Sequence, residues 1–373
     1  MKRRTFLTAA AAGGALGVAP AALAAPRPAA LPSRGEIVAV LRRVAYHWIG
    51  AHGDPGDNLW ANATFFSGLL ALHRLTGDAR YLAYARTWAE RHDYALNGGV
   101  TTRHADNQCA AQAYLDLYAA EPEAAKLTAL EADLHRMTYT DQPDKNDDWW
   151  WDDALHMAMP PFARLGVLRA DPAYAQKMHR LYTHTKHAEG GPGLYDETTG
   201  LWYRDKRFLP GGIVAPSGKP VLWSRGNGWV AGGHTKTLKA LPASHPDVPE
   251  YRAALTRLVT AAAAVQRPDG FWNVNLADPT HLPGPETSGT SFLLYGTAYA
   301  LRAGLVGRAA LLPVAARAWR GLVTTAVHPD GFLGYVQKVG DRPESSQPVT
   351  YDSTADFGVG GFLLAGTELA ALA

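Results

Sequence analysis

From about residue 37 onward, apolar residues recur at the helical period almost without a break, which commits the chain to an all-α fold. Twelve segments carry the pattern, at roughly 37–49, 63–77, 79–94, 107–122, 123–137, 153–168, 172–187, 227–241, 249–266, 287–305, 310–327 and 356–372. Three short turns, TGDARY (76–81), RADPAY (169–174) and HPDVPEY (245–251), each supply an Asp near a helix start and an aromatic just inside it. Their recurrence marks a repeat of helical hairpins, and six hairpins closed in a ring make an (α/α)6 barrel. The even-numbered segments, such as NGWVAGGHTKTL and DFGVGGFLLAGTEL, are apolar almost all round and rich in Gly, Ala, Ser and Thr. Odd-numbered ones, such as ARYLAYARTWAERHDY, keep a charged face. Even helices are therefore expected inside and odd ones outside, an alternation that an open solenoid does not explain.

The first residues read as an address. MKRRTFLTAAAAGGALGVAPAALA pairs arginines ahead of an uncharged Ala/Gly stretch that ends in Ala22-Leu23-Ala24, the pattern of a twin-arginine signal peptide over residues 1–24. Residues 25–36 then read as a linker, and 37–373 as a single barrel domain exported to the periplasm or the medium. No other apolar run reaches the ~20 residues that span a bilayer, so no membrane anchor is expected after cleavage.

Composition removes several classes of function. With Lys2, Arg3 and Arg4 cut away, 33 basic residues face 34 acidic ones, which leaves no electrostatic case for nucleic acid. One cysteine, Cys109, excludes an intramolecular disulfide framework and any multi-cysteine zinc site. No Walker loop, GxGxxG, HExxH or EF-hand pattern occurs, so neither cofactor nor metal is expected. The 11 Trp and 16 Tyr suit either a larger core or a sugar-binding cleft.

In such a ring the inner helices all start at one rim, and the unusual residues gather there. Asp57, Trp60 and Asn62 stand at the second segment, His104 and Asp106 at the fourth, and WWWDD (149–153) at the sixth. Trp223, Arg225 and Asn227 stand at the eighth, Glu286, Thr287 and Ser288 at the tenth, and Tyr351, Asp352 and Asp356 at the twelfth. Asp106 and Asp153 suit simple N-caps. Asp153, however, follows Trp149, Trp150 and Trp151, and a carboxyl among indoles is expected to be desolvated into a general acid. Arg225 between Trp223 and Trp229 suits a bidentate grip on a carboxylate, or a plain loop brace. The segment 188–226, about 39 residues long, exceeds a mere connection and is a candidate binding loop.

The motifs HADNQCAAQAYLDLY, WWWDDALHMAMPPFARLG, LWYRD, WSRGNGWVAGG, QRPDGFW, ETSGTSFLLYGTAYALR and DFGVGGFLLAGTEL occur in this order. Over residues 45–372 the chain resembles glycoside hydrolase family 105, the unsaturated rhamnogalacturonyl hydrolases. That resemblance implies an (α/α)6 barrel that removes a 4,5-unsaturated uronic acid from the non-reducing end of oligosaccharides made by polysaccharide lyases. It implies Asp153 as proton donor to C4 and Asp106 as the second carboxylate. Around them, Trp60, Trp150, Trp151, His104, Trp223, Arg225, Asn227, Thr287 and Ser288 are expected to hold the sugar. The chain departs from the family at GLYDETTGLWYRD, where many members carry a His-containing segment ending in Trp-Asp-Glu, with His184 and His187 lying upstream. Two rival readings remain on the same barrel: an inverting glycosidase acting on saturated uronides, and a carbohydrate-binding barrel without catalysis.

Overall fold

A computed structural model describes Met1 and residues 30–373; the signal-peptide reading of 1–24 lies outside the described residues, as does most of the linker. The first helix is capped by Ser33, whose hydroxyl accepts from the Glu36 N–H while the Glu36 carboxylate accepts from the Ser33 N–H. Residues 34–36, read above as linker, are therefore the first turn of α1 (Arg34–Ala51).

The helices that follow are α2 (Trp60–Thr76), α3 (Ala79–Arg91), α4 (Ala105–Gln108), α5 (Ala110–Ala120), α6 (Thr128–His135) and α7 (Ala154–Arg169). Then come α8 (Pro172–His187), α9 (Ser224–Ala240), α10 (Val248–Ala264), α11 (Thr287–Arg302), α12 (Arg308–Gly321) and α13 (Asp356–Leu372). A two-residue hairpin, β1 (Tyr195–Asp196) with β2 (Leu201–Trp202), sits in the long segment before α9. All twelve expected helices are present, although the fourth is interrupted at Cys109 and the fifth and eleventh end in π turns at Arg136–Thr140 and Leu322–Ala326. Asp78 and Asp171 cap α3 and α8 by accepting from the N–H two residues on. Asp247 does not cap α10, and its carboxylate instead faces His179 and His245 at 3.7 and 3.8 Å. Asp-Gly turns form where the sequence places them, with Gly270 at φ +93° and Gly331 at φ +99° in the left-handed region.

The inner ring runs α2, α4/α5, α7, α9, α11, α13, and it closes because α13 packs against both α11 and α2. α1, α3, α6, α8, α10 and α12 lie outside. The small residues explain the closure. A Cβ on Gly68 would sit 2.4 Å from the Gly360 carbonyl oxygen, and one on Gly360 would sit 2.4 Å from the Thr64 carbonyl oxygen, so α2 and α13 touch backbone to backbone. Gly68→Ala is expected to cost about 1–3 kcal/mol by overpacking this seam, read as a lower denaturant midpoint at unchanged slope. Stability within error of the parent protein would show that the seam can yield.

Candidate active site

The tryptophan run enters α7 as an extended strap. The Asp152 N–H donates to the Arg204 carbonyl at 2.8 Å, and Trp151 bridges Asp205, so residues 204–205 lie alongside 151–152. The β1–β2 hairpin delivers that partner strap. Asn227 holds it, accepting from the Trp202 N–H and donating to the Trp202 and Trp223 carbonyls at 2.9–3.0 Å.

The strap places Arg204 over the acidic end of α7. Its guanidinium lies 2.8 Å from Asp205 Oδ2, 3.5 Å from Asp153 Oδ2 and 5.7 Å from the centre of the Trp150 ring. Asp153 precedes α7 without accepting a capping hydrogen bond, and Asp106 sits inside the first turn of α4 rather than at its cap. The N-cap reading of both residues therefore fails, and their carboxyls are left for other work. Burial, reinforced by the negative charge of Asp153 and partly offset by Arg204, pushes Asp106 up to about 7. Asp152 is fully buried and both its oxygens lack a hydrogen-bond partner; burial first and the Asp153 charge second push it well above the carboxylate range. The carboxyls that hold a proton near neutrality are thus Asp106 and Asp152. His104, 3.9 Å from Asp106 and tilted against Trp151 with ring centres 4.7 Å apart, is held towards its neutral form by burial and by Arg204.

Among the tryptophans the structure separates surface from core. Trp150 is 41% exposed, whereas Trp149 and Trp151 are buried. Trp60 stays half-buried, edge-on to Trp229 at 5.8 Å and near Phe357 at 5.2 Å. Trp150, Trp151, His104, Asp106 and Asp153 come together around Arg204.

The remaining expected sugar contacts are corrected by their burial. The Arg225 guanidinium donates to the Lys338 and Gly340 carbonyls at 2.9 Å, lies 4.0 Å over Trp223, and is fully enclosed. It braces the 338–346 loop instead of gripping a ligand, which was the plainer of its two readings. Trp223 is enclosed too, with its indole N–H on Gln337 at 2.9 Å. Thr287 donates to the Gly334 carbonyl and Ser288 to Glu286, which itself caps α11 through the Ser288 and Gly289 N–H groups. Asn227, Thr287 and Ser288 are wholly buried and shape the rim from behind. The arginine that does face the carboxyls, Arg204, was passed over although it stands in LWYRD. Its signal was a lone cation directly after aromatics in the long candidate binding loop.

A closed helical ring with a carboxyl pair, an arginine and an open indole at one rim holds the kinds of group that acid–base chemistry on a sugar requires. The chain belongs to glycosyl hydrolase family 88, whose model matches residues 41–373. It is 30% identical over 345 residues to an unsaturated 3S-rhamnoglycuronyl hydrolase of Formosa agariphila, covering 87% of this chain and 88% of that protein. A glycosyl hydrolase family 88 structure from Bacteroides vulgatus superposes with TM-score 0.85 at 32% identity, covering 92% of this chain and all of that one. A family 105 glycoside hydrolase from C. acetobutylicum shares the fold, with TM-score 0.75 at 20% identity over 90% of this chain and 99% of that one. The family 105 resemblance read from the motifs agrees with these likenesses, and the chain is a glycoside hydrolase.

Proposed function

We propose that the enzyme releases a 4,5-unsaturated uronic acid from the non-reducing end of lyase-generated oligosaccharides by adding water across the C4=C5 bond. The observation that carries this reading is the Asp106–Asp153 pair, which shares Arg204 beneath the open face of Trp150. Such a bond is an enol ether, so protonation at C4 leaves a cation at C5 that the ring oxygen stabilises. The pair's single proton, held on Asp106 in the free enzyme, is relayed through Asp153 to C4; water adds at C5 and loses a proton to the carboxylates, which restores the pair's proton. The hemiketal formed opens, and the aglycone leaves with its glycosidic oxygen. Because the reaction is not a displacement at the anomeric carbon, carboxyl separation does not predict its stereochemistry. Trp150 offers the sugar a stacking face, and Arg204 balances the carboxyls against the incoming uronate.

The pair needs one shared proton, which the free enzyme holds on Asp106. Because Asp106 is raised to about 7, that proton is present below this pH and lost as pH rises through it. The kcat/KM profile is expected to fall on the alkaline side near pH 7, and Asp106→Asn is expected to remove that limb. A flat profile from pH 6 to 8 in the unsubstituted enzyme would contradict this proton inventory.

The relatives' name makes uronyl-rhamnose disaccharides the first substrates to try. Purified protein is expected to turn over unsaturated uronyl-rhamnose, sulfated or not, while leaving the saturated counterpart intact. Equal turnover of saturated uronides would transfer the assignment to an inverting glycosidase. On the signal-peptide reading of residues 1–24, the enzyme acts outside the cytoplasm.

A further inference from the structure

At the end of the barrel opposite Asp153, the C-terminal halves of the inner helices surround a cavity of about 190 Å³. Asp153 and Arg164 stand eleven residues apart on the α7 axis, about 16 Å at the helical rise, so this cavity is distinct from the catalytic rim. Its charged lining is lopsided. Asp116 is the carboxylate that lines it, and both Arg74 (3.0 Å) and Arg164 (2.7 Å) pair with that one group. Burial would raise Asp116, but the two arginines outweigh it and hold the carboxyl at about 2. Lys239 reaches Glu368 at 2.6 Å. Lys236 is different. Its ammonium donates to two neutral acceptors, Ser67 Oγ at 2.5 Å and Gln112 Oε1 at 2.6 Å, and among the described residues no carboxylate lies within 4.0 Å of it.

Cations near helix C-termini complement the helix dipoles, which accounts for Arg74 and Lys239, while Arg164 answers the Asp116 carboxylate. A desolvated ammonium without a counter-ion is costly, and dipoles at a helix end do not replace one. Burial pushes Lys236 down to about 7, with the Arg74 and Arg164 charges acting in the same direction and Asp116 opposing them, the mark of a cation in a cavity that holds more positive than negative charge. The cavity also has an apolar wall from Pro160, Leu364 and the Tyr295 ring, and it is larger than a bare ion needs.

We propose that this cavity is a second ligand site, for a small organic anion whose carboxylate or sulfate group pairs with Lys236 and whose compact body lies along the apolar wall. Arg74 and Lys239 stand at its more exposed side, where the anion enters. The site does not depend on the reaction proposed above.

Calorimetric titration of the full chain with glucuronate, inorganic sulfate and neutral glucose, at matched sodium chloride, tests it. Glucuronate is expected to bind saturably and glucose not at all. Lys236→Met is expected to weaken binding by about tenfold or more, because a charge-assisted contact is lost. Trp150→Ala, at the other end of the barrel, is expected to leave the Lys236-dependent part of the binding unchanged. Binding of sulfate but not glucuronate, with the same Lys236 dependence, would keep the anion site and assign it to a free oxyanion. If Lys236→Met fails to fold, Lys239→Gln at the cavity edge is expected to weaken binding severalfold. Undiminished binding in the folded variants, equal binding of glucose, or no saturable heat with either anion would overturn the proposal.

Discussion

Asp153→Asn is expected to leave the barrel folded and to lower kcat by about 10²- to 10⁴-fold, the usual contribution of a positioned general acid. The substitution keeps size and shape at a position whose carboxyl makes no capping bond, so α7 has no reason to unwind. What it removes is the group that Arg204 balances from 3.5 Å and whose charge helps to raise both Asp106 and Asp152. With Asn at 153, Asp106 is expected to fall only part of the way, because burial, the larger cause of its rise, remains. The variant should therefore lose rate, and its alkaline limb should move to lower pH. A kcat within tenfold of the parent enzyme, with the thermal transition unchanged, would remove Asp153 from the chemistry.

Arg204→Gln is the second large effect. Arg204 is buried and is the cation that touches both Asp153 and Asp205, so its loss takes away the cation beside Asp153 and one of the two beside Asp205. The expected loss is about 10²–10³ in kcat/KM, comparable to the loss of one preorganised electrostatic donor. The sign of the accompanying pH shift follows from the charge. Arg204 favours the ionised form of Asp106, so without it Asp106 rises further and the alkaline limb moves to higher pH. Asp205 keeps Arg207 at 2.8 Å, which limits structural damage. The expected loss of activity with no movement of the residual activity's alkaline limb would make Arg204 a scaffold residue only.

Much of this was legible beforehand because two physical signals are strong in the chain. Helical periodicity located every helix within a few residues. The all-round apolar character of segments such as 356–369 then marked the inner ring, since only a helix enclosed on every side can be so. Rim clustering followed from topology: inner helices that share a direction must share a starting end. Orientation was not legible. Trp223, Arg225, Asn227, Thr287 and Ser288 sit at the right rim, but sequence position cannot say whether a side chain faces the opening or the wall behind it. Arg225 and Arg204 show the difference. The first has Gly226 beside it and an aromatic frame, yet carbonyls of a loop more than a hundred residues away enclose it. The second gains its role from a hairpin that lays residues 204–205 against 151–152, a long-range pairing that no local pattern announces. The same applies to the Lys236 cavity, whose walls come from all six positions of the inner ring.

The order of two events tests the central claim most directly. During turnover of an unsaturated uronyl-rhamnose disaccharide, the ultraviolet absorbance of the conjugated C4=C5 bond and the appearance of free rhamnose are followed in one time course. Hydration predicts that absorbance disappears no later than rhamnose appears, because the double bond must be consumed before the hemiketal can expel the aglycone. Rhamnose released while the absorbance persists would mean displacement at the anomeric carbon, and would contradict the mechanism assigned to Asp153 and Asp106.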